Sequence, residues 1–325
     1  MDLPQVIPLN NGYNVPAIGL GTFQGDEGNS KIKDAVKRAL QLGYRHIDGA
    51  SAYGNEKEIG EAIKESGIPR HEIFVTSKLA QTWHEPADVQ KALELSLSDL
   101  QLDYVDLYLM HFYPKDIQRL GKQWNDWSTW VSFVRLVRSY RPICEWLMIL
   151  TITTGLSNFN ILKTKRILDI ARIVPAVNQV EIHPYLPQQE LFEFSSKHGI
   201  LLMAHQPLGG RPVEVVRGSN EPFPTADLKA RINEIAAKYK ISSAQVCLSW
   251  AVQKGIPAVP KSVQDSHMEQ NLHLKRLSDD DFRTVDQLSS QRGPVRFLDP
   301  SRHLGFDIFD EDNDQPVADR APWDL

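Results

Sequence analysis

Cysteine is scarce. The two in 325 residues, Cys144 and Cys247, stand far apart and in no metal-ligand spacing, so no disulfide framework is implied. A reducing compartment is the simpler setting. Positive charge is not in excess either. Thirty-six lysines and arginines against 41 aspartates and glutamates leave a net charge of −5, which offers no broad basic face to nucleic acid or an anionic membrane. Long apolar runs are missing. The longest, Ile143 to Ile152, contains Glu145 and is too short to span a bilayer. The first residues lack a basic stretch followed by an apolar one, so they do not read as a signal peptide. These absences predict a cytoplasmic protein with neither nucleic acid nor membrane as a partner. No low-complexity tract or linker divides the chain, which predicts one domain over 1–325.

Short apolar strands alternating with amphipathic helices are what the chain does contain. Val6 to Leu9 and Tyr13 to Pro16 flank Asn10-Asn11-Gly12, a hairpin signal. Strands are then expected at Ile18 to Phe23, His46 to Ala50, Ile73 to Leu79, Val105 to His111, Thr151 to Phe159, Ala176 to Ile182, Ile200 to Leu208 and Ala258 to Ser262. Helical periodicity lies between them, as in Ser30 to Leu42, Asn55 to Ser66, Ala87 to Leu100, Ala226 to Tyr239 and Ser243 to Gln253. Eight strands each followed by a helix make an α/β fold of the (β/α)8 TIM barrel type, here with an N-terminal β-hairpin. A doubly wound sheet is disfavoured because no glycine-rich fingerprint follows the early strands. The stretch 292–325 has no clean period and carries scattered aromatics. It reads as a long C-terminal loop over the barrel mouth or a partly disordered tail.

Active sites of such barrels lie at the C-terminal ends of the strands. There this sequence places Asp48, Lys78 and His111, with Tyr53 in the loop after the second strand. Each alone has a structural explanation: a helix-capping aspartate, a strand-end lysine, a packed histidine. Together they suit proton donation. A phenol is a weak acid with a pKa near 10, and a neighbouring ammonium lowers it. A carboxylate beyond the lysine keeps the ammonium charged, and the histidine can orient a carbonyl oxygen. Side chains carry no hydride, so a reductase of this kind needs a cofactor.

The run Gly43-Tyr44-Arg45-His46-Ile47-Asp48-Gly49-Ala50-Ser51-Ala52-Tyr53-Gly54-Asn55-Glu56 resembles the first signature of the aldo-keto reductase family. Leu100 to His111 resembles the second, and Pro260-Lys261-Ser262 with Asn271 and Leu272 the third. The tail Phe297 to Arg302 is most similar to fungal members. The resemblance implies a catalytic tetrad of Asp48, Tyr53, Lys78 and His111, the set already assembled from strand ends. It implies NADP(H) as cofactor, with Ser157, Asn158 and Gln179 on the nicotinamide carboxamide, Lys261 and Ser262 on the 2′-phosphate, and Asn271 and His205 as further cofactor contacts. The implied reaction is reduction of a small-molecule aldehyde or ketone, by a monomer or weak dimer.

The sequence departs from the family at four places. His205 stands where a tyrosine usually stacks on the nicotinamide. His267 stands where an arginine usually faces the 2′-phosphate, and a neutral imidazole is the poorer phosphate ligand. Ala80 and Phe23 replace bulkier aromatics, which suggests a roomier pocket, with Phe112, Tyr113, Trp124 and Trp127 as candidate lining. A polyketide or terpenoid carbonyl of secondary metabolism is one substrate class that fits. Finally, Arg138 to Gly155 is longer by roughly half a dozen residues than a normal connection of about 2–6. It reads as a longer helix and loop, a retained intron, or the mark of a degraded copy. The last of these makes the rival function a catalytically impaired barrel that binds NADP(H) as a redox-sensing or partner subunit. A metal-dependent hydrolase built on His46, His111, His183 and His205 is the second rival.

Overall fold

The computed structural model describes residues 2–24, 29–113, 151–169, 171–210, 226–291 and 293–298. The chain opens with an antiparallel hairpin of β1 (Val6–Pro8) and β2 (Asn14–Pro16), paired Val6 to Pro16 and Pro8 to Asn14. Its turn closes through the Leu9 N–H on the Tyr13 carbonyl at 2.8 Å. Asn11 donates to Thr153 Oγ1 at 2.8 Å and Asn10 to the Pro175 carbonyl at 3.2 Å. Both acceptors lie at the starts of barrel strands, so the hairpin covers the end opposite the candidate site.

Seven strands follow in one parallel sheet, in sequence order. They are β3 (Leu20–Gly21), β4 (His46–Asp48), β5 (Phe74–Leu79), β6 (Val105–Met110), β7 (Thr151–Ser157), β8 (Val177–Glu181) and β9 (Leu201–His205). The sheet closes on itself through residues 257–261. Ala258 bridges both Ala204 on β9 and Ile18 before β3, and Lys261 bridges Gly21. The result is the (β/α)8 TIM barrel expected from the strand count. The eighth segment forms bridges where a full strand was expected, and its prolines explain why. Pro257 and Pro260 supply no N–H, so they only accept, from Ala204 at 2.8 Å and Gly21 at 3.0 Å. Gly21 is needed at this closure, since a Cβ there would lie 2.7 Å from the Val259 carbonyl oxygen.

The helices are α1 (Ile32–Leu42), α2 (Glu56–Ser66), α3 (Val89–Leu100), α4 (Ile161–Leu168), α5 (Gln189–Lys197), α6 (Ala226–Tyr239), α7 (Ser243–Gln253), α8 (Asp265–Leu272) and α9 (Asp279–Asp286). Their faces follow the helical period. In α1 the buried residues are Ile32, Ala35, Val36, Ala39 and Leu40, an i, i+3, i+4, i+7, i+8 stripe laid on the strands. The helix α7 starts with a capping box in which the Ser242 hydroxyl and the Gln245 side chain each satisfy the other's backbone N–H.

The long segment before β7 does not displace the fifth barrel strand. β7 pairs with β6 from Val105–Thr151 to Met110–Leu156, and with β8 at Ser157–Gln179. Thr151 to Gly155 are therefore strand. The rest of that segment, 138–150 with Cys144, lies outside the described residues, as do Trp124, Trp127 and the tail from 299 on. Among the described residues no helix is long and apolar enough to cross a membrane.

Candidate active site

The four candidate catalytic side chains arrive from three neighbouring strands. Asp48 ends β4, Lys78 is the penultimate residue of β5, and His111 directly follows β6, its N–H on the Leu79 carbonyl at 3.2 Å. Tyr53 ends a single 3-10 turn after β4, reversed by Gly54 in the left-handed region at φ 65°. That turn is pinned from outside. Asn29 Nδ2 donates to the Tyr53 and Gly54 carbonyls at 3.1 and 3.2 Å, and Ser51 Oγ to the Lys78 carbonyl at 2.9 Å.

Lys78 is the hub. Its side chain is fully buried, and its ammonium donates to Asp48 Oδ1 at 2.6 Å, to the Gly49 carbonyl at 2.9 Å and to the Tyr53 hydroxyl at 3.4 Å. Burial disfavours this cation, but the charges and hydrogen bonds of Asp48 and Tyr53 outweigh it and raise the lysine above its ordinary value. His111 sits edge-on to Tyr53, ring centroids 5.6 Å apart. Burial first, then the Lys78 charge, pushes its imidazole well below 6.5, so it is neutral at physiological pH.

Tyr53 departs from the sequence expectation in one respect. Lys78 does pull the phenol down as expected, yet burial is the larger influence and the hydroxyl lies above 10. The residue is thus held as a loaded phenol.

The residues expected at the nicotinamide lie on the next strand ends and are all buried: Ser157, Asn158 and Gln179. Gln179 Nε2 donates to Asp48 Oδ2 at 2.6 Å, tying this group to the tetrad. Asn158 Nδ2 donates to the His111 carbonyl at 3.1 Å. His205, at the end of β9, is half-buried and 2.9 Å from Asn158 Oδ1. The residues expected at the phosphate lie apart, at the barrel closure. Lys261 is exposed, and Ser262 is buried with its hydroxyl in the turn leading to α8, taking the Gln264 N–H at 3.1 Å. Asn271 is 3 % exposed and bonded to the Tyr44 hydroxyl. His267 is exposed on α8.

Sequence reasoning missed Glu181. Its carboxylate is wholly buried and accepts from His183 Nε2 at 2.9 Å, the Phe297 N–H at 2.7 Å and the Leu298 N–H at 2.9 Å. Burial pushes this carboxyl up, but the bond and charge of His183 with the Phe297 amide outweigh it and hold it below the usual range. Residues 295–298 are thereby fastened to the mouth. Strand alternation carried the signal, because Glu181 lies two residues after Gln179 and so on the same inward face. No group of three or more histidine, cysteine or acidic side chains that could hold a metal occurs among the described residues.

Comparison with known proteins agrees with this architecture. Residues 17–290 match the model of the Aldo/keto reductase family. The chain is 38 % identical over 315 residues to glycerol 2-dehydrogenase (NADP(+)) of Saccharomyces cerevisiae, covering 92 % of this chain and 96 % of that protein. It is 41 % identical over 295 residues to aldo-keto reductase family 1 member A1 of Xenopus tropicalis, covering 86 % and 88 %. Among solved structures, an aldo-keto reductase of the silkworm Bombyx mori superposes with a TM-score of 0.79 at 31 % identity, covering 98 % of this chain and 95 % of that one. The chain belongs to the aldo/keto reductase family. It is an oxidoreductase of a family that reduces carbonyls to alcohols with a nicotinamide cofactor.

Proposed function

We propose that the protein is an NADP(H)-dependent reductase of an aldehyde or ketone, with Tyr53 as the proton donor. The observation that carries this reading is the buried Lys78, whose one ammonium reaches both Asp48 and the Tyr53 hydroxyl. When bound, the reduced nicotinamide supplies a hydride to the carbonyl carbon. The carbonyl oxygen then takes the Tyr53 proton, and the developing phenolate is stabilised by Lys78. Asp48 keeps that ammonium in place. The neutral His111 donates an N–H to the carbonyl oxygen and orients it.

The residues present fit the cofactor. Ser157, Asn158 and Gln179 offer hydroxyl and amide groups in a row of adjacent strand ends, suited to a carboxamide that both donates and accepts. Although Lys261 is exposed as a residue, partial desolvation of its ammonium and the nearby Lys31 lower it. Neither lysine has a carboxylate partner among the described residues, so an anion would relieve both. This supports a phosphate there and a preference for NADPH over NADH, weakened by the exposed His267.

Aromatic side chains flank the candidate tetrad. Phe23, 39 % exposed, lies 5.0 Å from the Tyr53 ring, and Phe112 stacks on His111 at 4.6 Å. Ala80 stands where the family usually carries a bulkier aromatic. A bulky apolar carbonyl suits this mouth better than a small sugar, and a secondary-metabolite carbonyl is the class we favour. The clasp of residues 295–298 supports a single domain over 1–325 whose tail, 292–325, crosses the mouth. The same reading makes the protein a cytoplasmic monomer or weak dimer, checked by cell fractionation and size-exclusion chromatography. The rival reading, a barrel that binds cofactor without turnover, leaned on the long segment before β7. The in-register pairing of β7 supports the active reading instead.

The test follows NADPH oxidation with a panel of small aldehydes and bulky ketones. Tyr53→Phe is expected to lose about 10²–10⁴-fold in kcat while NADPH still binds. Binding without turnover in the native protein would favour the rival, and activity confined to small polar aldoses would remove the bulky substrate class.

A further inference from the structure

Asn158 is the non-glycine residue around which three strand ends meet. Its φ is 62°, in the left-handed region that carries a penalty for any side chain and persists only where the surroundings over-determine it. Its own N–H donates to the Gln179 carbonyl at 2.9 Å. Its amide nitrogen donates to the His111 carbonyl at 3.1 Å and to Ser157 Oγ at 3.2 Å. Both amide hydrogens are thus engaged, and Oδ1 is left to accept. The partner at Oδ1 is His205 Nε2, at 2.9 Å. His205 must therefore be the tautomer with its proton on Nε2. Burial, opposed by Glu181, moves this imidazole to about 4, so it keeps that single N–H at neutral pH. A relay runs from β9 through Asn158 to the carbonyl of His111 after β6.

We infer that His205 is a positioning residue of the cofactor site, acting through its Nε2–H on Asn158 rather than through the face of its ring. The bond leaves Asn158 one free lone pair and no free hydrogen. Towards a carboxamide it acts as an acceptor only, and it selects the orientation that presents the amide nitrogen. This rests on the reading of Asn158 as a nicotinamide contact.

The experiment separates the donor from the ring. NADPH is titrated against the native protein, His205→Gln and His205→Phe by quenching of protein fluorescence, with kcat and KM for NADPH measured in parallel. Glutamine retains an N–H donor without the imidazole face, and phenylalanine retains a flat ring without the donor. The expected result is a Kd within about threefold of native for His205→Gln and about tenfold weaker for His205→Phe, the latter equal to about 1.4 kcal/mol. In the Asn158→Ala background, His205→Phe is expected to have no further effect on Kd, because the two residues act as one unit. Weak binding by His205→Gln with native-like binding by His205→Phe would assign the role to the ring and overturn the inference. Two native-like variants, or full additivity with Asn158→Ala, would also overturn it. Failure of the native protein to bind either NADPH or NADH would instead overturn the functional reading on which it rests. Native-like circular dichroism of each variant excludes misfolding as the cause of weak binding.

Discussion

Burial outweighs charge at two titrating residues of this site, Tyr53 and His111, whereas at Lys78 the neighbouring charges and hydrogen bonds win. Lys78 sits close enough to Tyr53 to pull its proton away, yet the phenol stays above 10 because its anion would be poorly solvated. His111 is driven well below 6.5 by the same cause. The consequence is a site whose proposed donor, Tyr53, is a protonated phenol and whose imidazole is neutral throughout the neutral range. We expect kcat/KM for carbonyl reduction to pass through pH 6.5 without an inflection, measured from pH 6 to 9. An inflection there that vanishes in His111→Gln would contradict this assignment. The convergence of these four side chains was legible in the sequence because each stands at or after a recognisable strand end and the first signature joins two of them. The balance between burial and charge was not legible, since it depends on how deeply Gln179 and its neighbours enclose Asp48 and Lys78. Glu181 went unnoticed for a similar reason. Its partners, Phe297 and Leu298, lie more than a hundred residues away.

At the scale of elements, helices were the easier reading. Predicted and observed bounds coincide for α6 and α7, where periodicity and the Ser242 cap fix them. The eighth strand was overread. A short apolar strand was expected at Ala258 to Ser262, but Pro257 and Pro260 limit it to bridges. Gly21 lets the first and eighth staves approach, and the nearest obstacle to a Cβ is a backbone oxygen rather than a movable side chain. We predict that Gly21→Ala destabilises the fold by about 1–3 kcal/mol, the usual range for overpacking. Thermal denaturation would record it as a lower Tm. An unchanged Tm would mean that the closure is looser than its distances indicate.

The whole molecule should be sensitive to acid. His46, His84 and His205 each lie at about 4 against an ordinary 6.5, chiefly through burial. Their folded values are depressed, so below pH 6.5 the unfolded chain binds more protons than the native one. Stability therefore falls as pH drops from 6.5 towards 4. His46, with no exposure, approaches the full penalty of about 3 kcal/mol; the half-buried His205 contributes less. Glu181 extends the loss to lower pH: its depressed carboxyl keeps its contribution above the ordinary value of 4.5 and loses it only as pH falls below that. Tm measured at pH 7, 5.5 and 4.5 should decline at each step, and a flat profile would show that these imidazoles are hydrated in solution.

A closed barrel is a hoop, and a hoop under load parts at its joint. Between β9 and β3 that joint holds few amide donors, because two of the five residues from 257 to 261 are prolines. Pulled apart around its circumference, the molecule has a built-in place to yield, and it lies on the far side of the ring from the β5 to β7 staves. Rupture there would spare the strands that carry Lys78, His111 and Asn158 while loosening Lys261 and Ser262. If the cofactor phosphate sits at Lys261 and Ser262 as proposed, it would act as a rivet across the joint, so ligand and hoop would hold each other closed.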